Sequence, residues 1–220
     1  MVDYSEIGKG GIVKEGIFER FPQLVPSSLP QNWGNSQSHN KLMIVMESNY
    51  FEDNVDSVFK DPEAWYMGDD TSHLIPKDCE YLVKNDKAGY RPFDRLRDSM
   101  KAVLKTEIGT IYEEALFYNY FLRPATVKGT NRSFKKDCTQ LDRDVAGTAL
   151  CGVLDILKPD IVIFASKFAY DEFLKYKKSV GFDCKIDFVY HPSARFKYKW
   201  DLNPNSQQKF EKLLRDYWVK

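Results

Sequence analysis

Short, continuous apolar runs bounded by polar residues are the feature that most constrains the fold of this chain. Residues 42–46 (LMIVM) and 161–165 (IVIFA) are such runs. Neither run alternates between apolar and polar residues, so both are typical of strands that are buried on both faces of a parallel sheet. Both are also far shorter than the roughly 20 apolar residues that cross a bilayer. We therefore expect an α/β protein that is not embedded in a membrane.

Segments with helical character separate the strand-like runs. Those that suit a helix by apolar spacing or composition are 91–105, 141–158, 167–178 and 206–217. Two further aromatic or β-branched stretches, 115–121 and 185–190, suit strands. Strands that alternate with helices favour a parallel sheet covered on both faces. The predicted fold class is an α/β three-layer sandwich with a central, mostly parallel four-stranded sheet.

The length of 220 residues fits one domain, 1–220. Residues 1–40 mix glycines and prolines and are predicted to be an irregular lead-in. Residues 52–90 are acidic and aromatic without a clear period, which indicates an insertion over one end of the sheet. The four cysteines form no CxxC pair and no secretory signal is recognised, so we expect free thiols in the cytoplasm.

The charge pattern leaves two interpretations open. A formal net charge of +0 weakly opposes nucleic-acid binding, because DNA-binding proteins usually carry a basic excess. However, residues 115–136 contain five basic residues and no acidic one, whereas residues 47–80 carry ten acidic residues. The first segment could form a basic face on a neutral protein. Alternatively, both segments are ordinary solvated loops.

Three predicted strands end in polar residues. These ends are residues 47–50 (ESNY), Asn119 with Arg123, and residues 191–193 (HPS). Taken singly, such residues are often surface, capping or structural residues. In an open parallel sheet, however, ligands bind at the carboxyl ends of the strands. Because all three segments are predicted to meet there, we expect them to form an active site.

The motifs at these strand ends resemble those of uracil-DNA glycosylases, particularly the thermostable iron-sulfur branch. Residues 190–194 (YHPSA) resemble the YHPS loop of that family. Residues 116–119 (LFYN), followed by Arg123-Pro124 and Asn131-Arg132, resemble its strand ending in Thr-Asn with CRPP and NR after it. Residues 154–169 resemble its helix, Leu-Arg-Pro turn and following strand. The resemblance covers roughly residues 41–215 and implies a glycosylase fold that binds DNA containing a damaged base.

Two departures from the family pattern concern the first motif and the cysteines. Residues 46–50 (MESNY) stand where the family has GEAPG or GQDPY, so Glu47 and Tyr50 fit while Met46 and Asn49 replace Gly and Pro. Only Cys138 stands where the iron-sulfur branch has a cluster cysteine. We therefore predict no cluster, no metal and no other cofactor.

The resemblance implies roles for the residues around the base. His191 would donate to a uracil oxygen as the base departs, and Glu47 or Ser48 would bound the water site. Asn119 would read the amide edge of the base. The aromatic residues implied for base contact are Tyr50, which guards the thymine methyl position, and Tyr81 or Tyr90, which stacks on the ring.

The resemblance also implies which residues contact DNA outside the base. Ser193 and Arg195 fall where the family inserts a loop into the minor groove, and Lys197 is placed to meet a phosphate. Other basic residues would form the opposite rim. These are Arg123, Lys128 and Arg132.

Three hypotheses of function follow. The first is a monomeric DNA glycosylase in base excision repair, which flips the damaged nucleotide and hydrolyses its N-glycosidic bond without a metal. The second is a non-catalytic nucleic-acid- or partner-binding protein on a degenerate glycosylase scaffold, which the changed first motif and zero net charge favour. The third is a hydrolase of nucleosides or nucleotides, for which the acidic residues 52–80 would form a lid.

Overall fold

The structure, a computed structural model, contains the predicted four-stranded parallel sheet with helices on both faces. The residues it describes are 29–30, 32–50, 61–67, 91–125, 134–177, 181–194, 198–202 and 205–220. The strands lie in the order β2-β1-β3-β4, and every pair is parallel. Their bounds are β1 Leu42–Tyr50, β2 Ala115–Ala125, β3 Ile161–Phe164 and β4 Lys185–Phe188.

The helices form the two outer layers, and their predicted bounds are confirmed to within a few residues. The helices are α1 Pro62–Met67, α2 Arg91–Leu104, α3 Ile111–Glu114, α4 Gln140–Leu157, α5 Lys167–Lys177 and α6 Ser206–Leu213. A π-helical turn, Leu214–Trp218, extends α6, and a 3-10 turn, Phe134–Lys136, precedes α4. The short helices α1 and α3 were not predicted. None of the helices in the described ranges is long and apolar enough to cross a membrane.

Strands β1 and β3 form the centre of the core because both of their faces are covered. Leu42 and Ile44 pack with α2 and α6, whereas Met43 and Val45 pack with α4 and α5. All four residues of β3 are buried. A strand that is buried on both faces needs an unbroken apolar run, which explains the continuous apolar residues of 42–46 and 161–165. Alternate residues of the apolar parts of β1 and β3 therefore face either the α2–α6 layer or the α4–α5 layer.

Strands β1 and β2 continue beyond their predicted ends. Ser48 pairs with Phe121, and Tyr50 pairs with Ala125 after a shift in register. The change to polar side chains ends the apolar run of β1 at Met46, but the backbone hydrogen bonds between the two strands continue. The prediction that residues 47–50 form a loop is therefore wrong, as is the prediction that β2 ends before Arg123.

A buried ion pair joins β2 to α4. The Arg123 Nε lies 2.8 Å from Asp142 Oδ1, and its Nη2 lies 2.7 Å from Oδ2. Both side chains are 0% exposed. Arg123 also contacts the Asp137 carboxylate and carbonyl, and its guanidinium lies 4.9 Å from the centre of the Phe134 ring. The prediction that Arg123 lies on a DNA-binding rim is wrong, because its side chain is fully buried and its donors are bonded to Asp142 and Asp137.

Asp142 also holds the first turn of α4 and the helix α1. Its carboxylate accepts hydrogen bonds from the Thr139 backbone N–H and hydroxyl, which completes a capping box. The Tyr66 hydroxyl donates to Asp142 Oδ1 at 3.0 Å, and burial raises the pKa of Tyr66 well above its ordinary value. Trp65 and Tyr66 pack on Leu141 and Val145. The described part of the predicted insertion 52–90 is thus anchored on α4.

We predict that Asp142→Asn lowers the free energy of unfolding by about 3–5 kcal/mol, because it leaves the buried Arg123 guanidinium without its bidentate partner. Urea unfolding followed by circular dichroism measures this loss. Lys212→Gln is the control, since it breaks the exposed pair with Asp216 and is expected to leave the midpoint nearly unchanged. Equal midpoints for the two variants would contradict the structural role of the buried pair.

Candidate active site at the carboxyl ends of the strands

The loop after β4 presents His191 and is held by two neighbouring helices. Ser206, at the start of α6, accepts a hydrogen bond from the Tyr190 N–H at 3.0 Å. From α2, the Arg95 guanidinium donates to the carbonyl of Pro192. Inside the loop, the Ala194 N–H donates to the His191 carbonyl at 2.7 Å. The loop therefore has a fixed position on the α2–α6 side of the sheet.

The hydrogen bonds of His191 define which ring nitrogen carries the proton. The Ser193 backbone N–H donates to His191 Nδ1 at 3.1 Å, and the Ser193 hydroxyl lies 2.6 Å from the same atom. A backbone N–H can only donate, so Nδ1 is the acceptor. The neutral ring then carries its proton on Nε2. No hydrogen-bond partner for Nε2 is present among the described residues, so this N–H is available to a ligand.

The surroundings of His191 keep the imidazole neutral. Desolvation by burial lowers its pKa from 6.5 to about 4. Burial disfavours the charged form of a base, and the described residues place no carboxylate against the ring to oppose this effect. At neutral pH His191 is thus a neutral donor through Nε2.

Asn119 lies on the same face of the sheet as the His191 loop. Asn119 is the register partner of Met46, which packs with the α2–α6 layer. Alternation along β1 assigns Ser48 to the same layer as Met46, whereas its register partner Phe121 packs with the α4–α5 layer. Asn119 is half-buried, whereas Ser48 is only 6% exposed.

The Ser48 hydroxyl has no hydrogen-bond partner within the described part of the chain. A buried hydroxyl without a partner costs about 1–3 kcal/mol, so such groups are rare in folded proteins. This one lies on β1, in the centre of the sheet and near its carboxyl edge. Its position suits a group that receives its partner from a bound ligand or water.

Glu47 faces the opposite layer, and its carboxylate is already engaged. Oε1 accepts the Phe134 backbone N–H at 2.9 Å, and Oε2 accepts the Ser166 hydroxyl at 2.7 Å. Phe134 belongs to the cluster formed with α4 and α5. Glu47 thus ties the 3-10 turn to the residue that follows β3. Asn119 and the His191 loop thus share the α2–α6 face of the sheet, whereas Glu47 is bonded on the other face.

The width of the sheet sets the separation between Asn119 and His191. Asn119 belongs to β2, and His191 follows β4, so three strand spacings lie between their backbones. At about 4.8 Å per spacing this is roughly 14 Å. The hydroxyl of Ser48 lies on the strand between them.

Several predicted site residues lie outside the part of the chain that the structure describes. These are Tyr81, Tyr90, Lys128, Arg132, Arg195 and Lys197. The side chain of Tyr50 is also outside it, although its backbone belongs to β1. Ser193 is exposed. Its interactions with His191 give it a positioning role.

Three residues that position the site were not predicted from the sequence. Ser166 follows the apolar run of β3 as Glu47 follows that of β1, so the same rule for strand ends could have found it. Arg95 and Ser206 were assigned to helices by periodicity. Their contacts with the His191 loop depend on how the helices pack, which periodicity does not reveal.

The described residues offer no group of three or more His, Cys, Asp or Glu side chains that could hold a metal ion. Cys138, which matches a cluster ligand of the iron-sulfur branch, donates its thiol to the Thr139 carbonyl. Burial raises the pKa of this thiol, which disfavours the thiolate that a cluster requires. The residues present around Cys138 therefore do not fit an iron-sulfur cluster.

No protein-family model matches the chain, and no curated protein matches it either.

We predict that His191 titrates near pH 4, because its burial disfavours the imidazolium. The measurement is an NMR titration of the three histidine rings, with His191→Gln used to assign the signal. Since the unfolded chain binds this proton near pH 6.5, the fold loses stability as pH falls from about 6.5 toward 4. A midpoint at 6.5 for His191 would contradict the buried, neutral state.

We predict that Ser48→Ala raises the free energy of unfolding by about 1 kcal/mol, because it removes a buried hydroxyl without a partner. Ser99→Ala is the matched control. Ser99 is equally buried, but its hydroxyl donates to Glu211 at 3.2 Å, so its loss is expected to lower stability by about 1 kcal/mol. Urea unfolding distinguishes the two signs. A destabilised Ser48→Ala would mean that the hydroxyl has a partner in the free protein.

Proposed function

We propose that the protein is a DNA glycosylase that hydrolyses the N-glycosidic bond of uracil, or of a related deaminated or damaged base, after flipping the nucleotide out of the helix. The observation that carries the proposal is His191, a neutral imidazole at the end of β4 whose Nε2–H has no hydrogen-bond partner among the described residues. The YHPS resemblance of residues 190–193 supports the same assignment.

A neutral N–H donor suits the charge that develops in this reaction. When the bond between C1′ and the base nitrogen breaks, its electron pair leaves with the base, and negative charge grows on the base oxygens. A fixed donor directed at such an oxygen stabilises the transition state more than the ground state. Water adds to C1′ and supplies the hydrogen that the departed base acquires. His191 remains neutral throughout, because it donates a hydrogen bond and transfers no proton.

Asn119 and Ser48 give this site the means to recognise a base and hold water. The Asn119 amide has both a donor and an acceptor, which complement the carbonyl and N–H along the edge of uracil. The buried Ser48 hydroxyl can accept from, and donate to, the attacking water. A hydroxyl without a neighbouring proton acceptor orients water but does not deprotonate it. In this proposal, stabilisation of the leaving group therefore accounts for most of the rate enhancement.

Glu47 has a positioning role in this proposal. Its carboxylate fixes Phe134 and Ser166, and through them the 3-10 turn and the start of α5. Glu47→Gln can preserve both contacts, since the amide oxygen accepts from Phe134 and its NH2 group donates to the Ser166 hydroxyl. We therefore expect the Glu47→Gln variant to retain its fold and most of its cleavage rate.

A non-catalytic DNA-binding protein is the second candidate. It is favoured by one observation: residues 47–50 continue β1 as a strand, so the first motif does not form the tight loop of backbone N–H donors that active members of the resembled family have. In this reading the His191 loop would hold an extruded base without cleaving its bond.

The experiment is a cleavage assay with labelled single- and double-stranded oligonucleotides that carry uracil, hypoxanthine or xanthine, followed by alkali to break abasic sites. We predict cleavage by the wild type and a loss of about 10²–10³-fold in rate for His191→Gln, since one donor to the developing charge is removed. Ser48→Ala is expected to slow cleavage while it stabilises the fold. Lys212→Gln, far from the site, is the control and is expected to cleave at the wild-type rate.

The outcome separates the two candidates. Binding of uracil-containing DNA without any strand break would support the non-catalytic reading. Cleavage that is unaffected in His191→Gln would overturn the assigned role of His191.

A further inference from the structure

A row of aromatic rings leads along the sheet edge to the His191 loop. The ring centres of Tyr170 and Phe188 are 5.0 Å apart, those of Phe188 and Tyr190 are 5.8 Å apart, and those of Tyr190 and Tyr198 are 4.4 Å apart. We call these four residues the aromatic row. Tyr198 ends it with 42% of its surface exposed. Tyr190 immediately precedes His191, so the row and the candidate site are continuous.

Two lysines from different helices converge on the centre of the aromatic row. Lys209 Nζ of α6 lies 4.1 Å from the centre of the Phe188 ring, and Lys167 Nζ of α5 lies 5.5 Å from it. Cations are attracted to the face of an aromatic ring, so Phe188 gathers two ammonium groups beside the row. Lys199 adds a third, exposed ammonium next to Tyr198 in the sequence.

Carboxylates pair with these lysines, but the ion pairs are weak enough for a phosphate group to replace the carboxylate. The partners are Asp187 for Lys209, Asp171 for Lys167 and Asp201 for Lys199. All three lysines keep more than a third of their surface exposed, and such ion pairs stabilise a protein by only about 0–1 kcal/mol. A phosphate group can therefore replace a carboxylate at an ammonium group with little cost to the fold.

The composition of β4 argues against a peptide strand as the occupant of this edge. β4 has only four residues, and Lys185 and Asp187 alternate along it. Short edge strands with charged side chains are the usual means by which proteins prevent pairing with another strand. Aromatic rings interleaved with exposed lysines are, in contrast, the arrangement that binds single-stranded nucleic acid, where bases stack on rings and phosphates meet cations.

We propose that the aromatic row and its lysines bind single-stranded DNA and guide it to the His191 loop. In this arrangement an unpaired base stacks on the exposed ring of Tyr198, and the flanking phosphates meet Lys209, Lys167 and Lys199. The bases of a duplex are already stacked on one another and cannot use these rings. The choice of DNA as the ligand rests on the proposed glycosylase function. The binding site adds that the glycosylase prefers single-stranded substrate.

The test measures binding of a fluorescent, undamaged single-stranded DNA 12-mer by anisotropy at low salt. Tyr198→Ala and Lys209→Gln are each expected to weaken binding at least about fivefold, in line with the loss of one stacked base or one phosphate contact. Tyr217→Ala is the control for Tyr198, since both tyrosines are 42% exposed. Lys212→Gln is the control for Lys209→Gln. Lys212 follows Lys209 by about one turn on α6, and its ion pair is also exposed. Both controls are expected to bind within twofold of the wild type.

Three results would overturn the proposal. They are no binding of the 12-mer by the wild type, equal binding by Tyr198→Ala and Tyr217→Ala, and equal competition by a duplex of the same sequence. Binding and cleavage are separate measurements, so the two proposals can fail independently. If single-stranded DNA binding depends on Tyr198 but no damaged base is cleaved, the binding proposal is supported and the glycosylase proposal is overturned. If damaged bases are cleaved but Tyr198→Ala does not change binding, the glycosylase proposal is supported and the binding proposal is overturned.

Discussion

The burial of β1 between β2 and β3 is the constraint on which the rest of the structure depends. A strand covered on both faces must be apolar along its length, so polar side chains enter it only at its carboxyl edge. Parallel pairing then brings the ends of all four strands to the same edge. Alternation along each strand decides which layer a polar side chain faces. The consecutive residues Glu47 and Ser48 accordingly have different surroundings: the Glu47 carboxylate is bonded, whereas the Ser48 hydroxyl has no partner in the described ranges.

The polar groups near this edge differ in how far they are satisfied. Arg123 is paired with Asp142, and Glu47 is bonded to Phe134 and Ser166. The hydroxyls of Ser48 and Tyr120 and the His191 Nε2–H have no hydrogen-bond partner in the described ranges. Saturated polar networks stabilise a fold, whereas unsatisfied groups in a buried position decrease stability and favour ligand binding. The proposed chemistry is assigned to the α2–α6 side because Arg95 and Ser206 hold the His191 loop there.

The sequence predicted the sheet and its helices well because burial on two faces and helical periodicity are local patterns. Strand β3 and helix α2 have almost the predicted bounds. The end of β1 was predicted wrongly because the apolar run stops before the strand does. β1 continues through polar residues to Tyr50, since its backbone still pairs with β2. Arg123 was predicted to be a surface cation because its charge is evident in the sequence. Its burial depends on Asp142, nineteen residues away, and distant pairings cannot be read from composition.

For the candidate site, the sequence predicted Asn119, Ser48 and His191 at the carboxyl edge of the sheet but could not separate them from Glu47. The alternation of side chains along each strand could be read from the sequence, but the face of the sheet that each helix covers could not. The most direct test of the account is a crystal structure of the protein with DNA that contains 2′-deoxypseudouridine, whose carbon–carbon glycosidic bond cannot be hydrolysed. The account predicts an extruded base with an oxygen within hydrogen-bond distance of His191 Nε2 and its edge against Asn119. A base that remains stacked in the DNA, or one bound on the Glu47 side of the sheet, would contradict it.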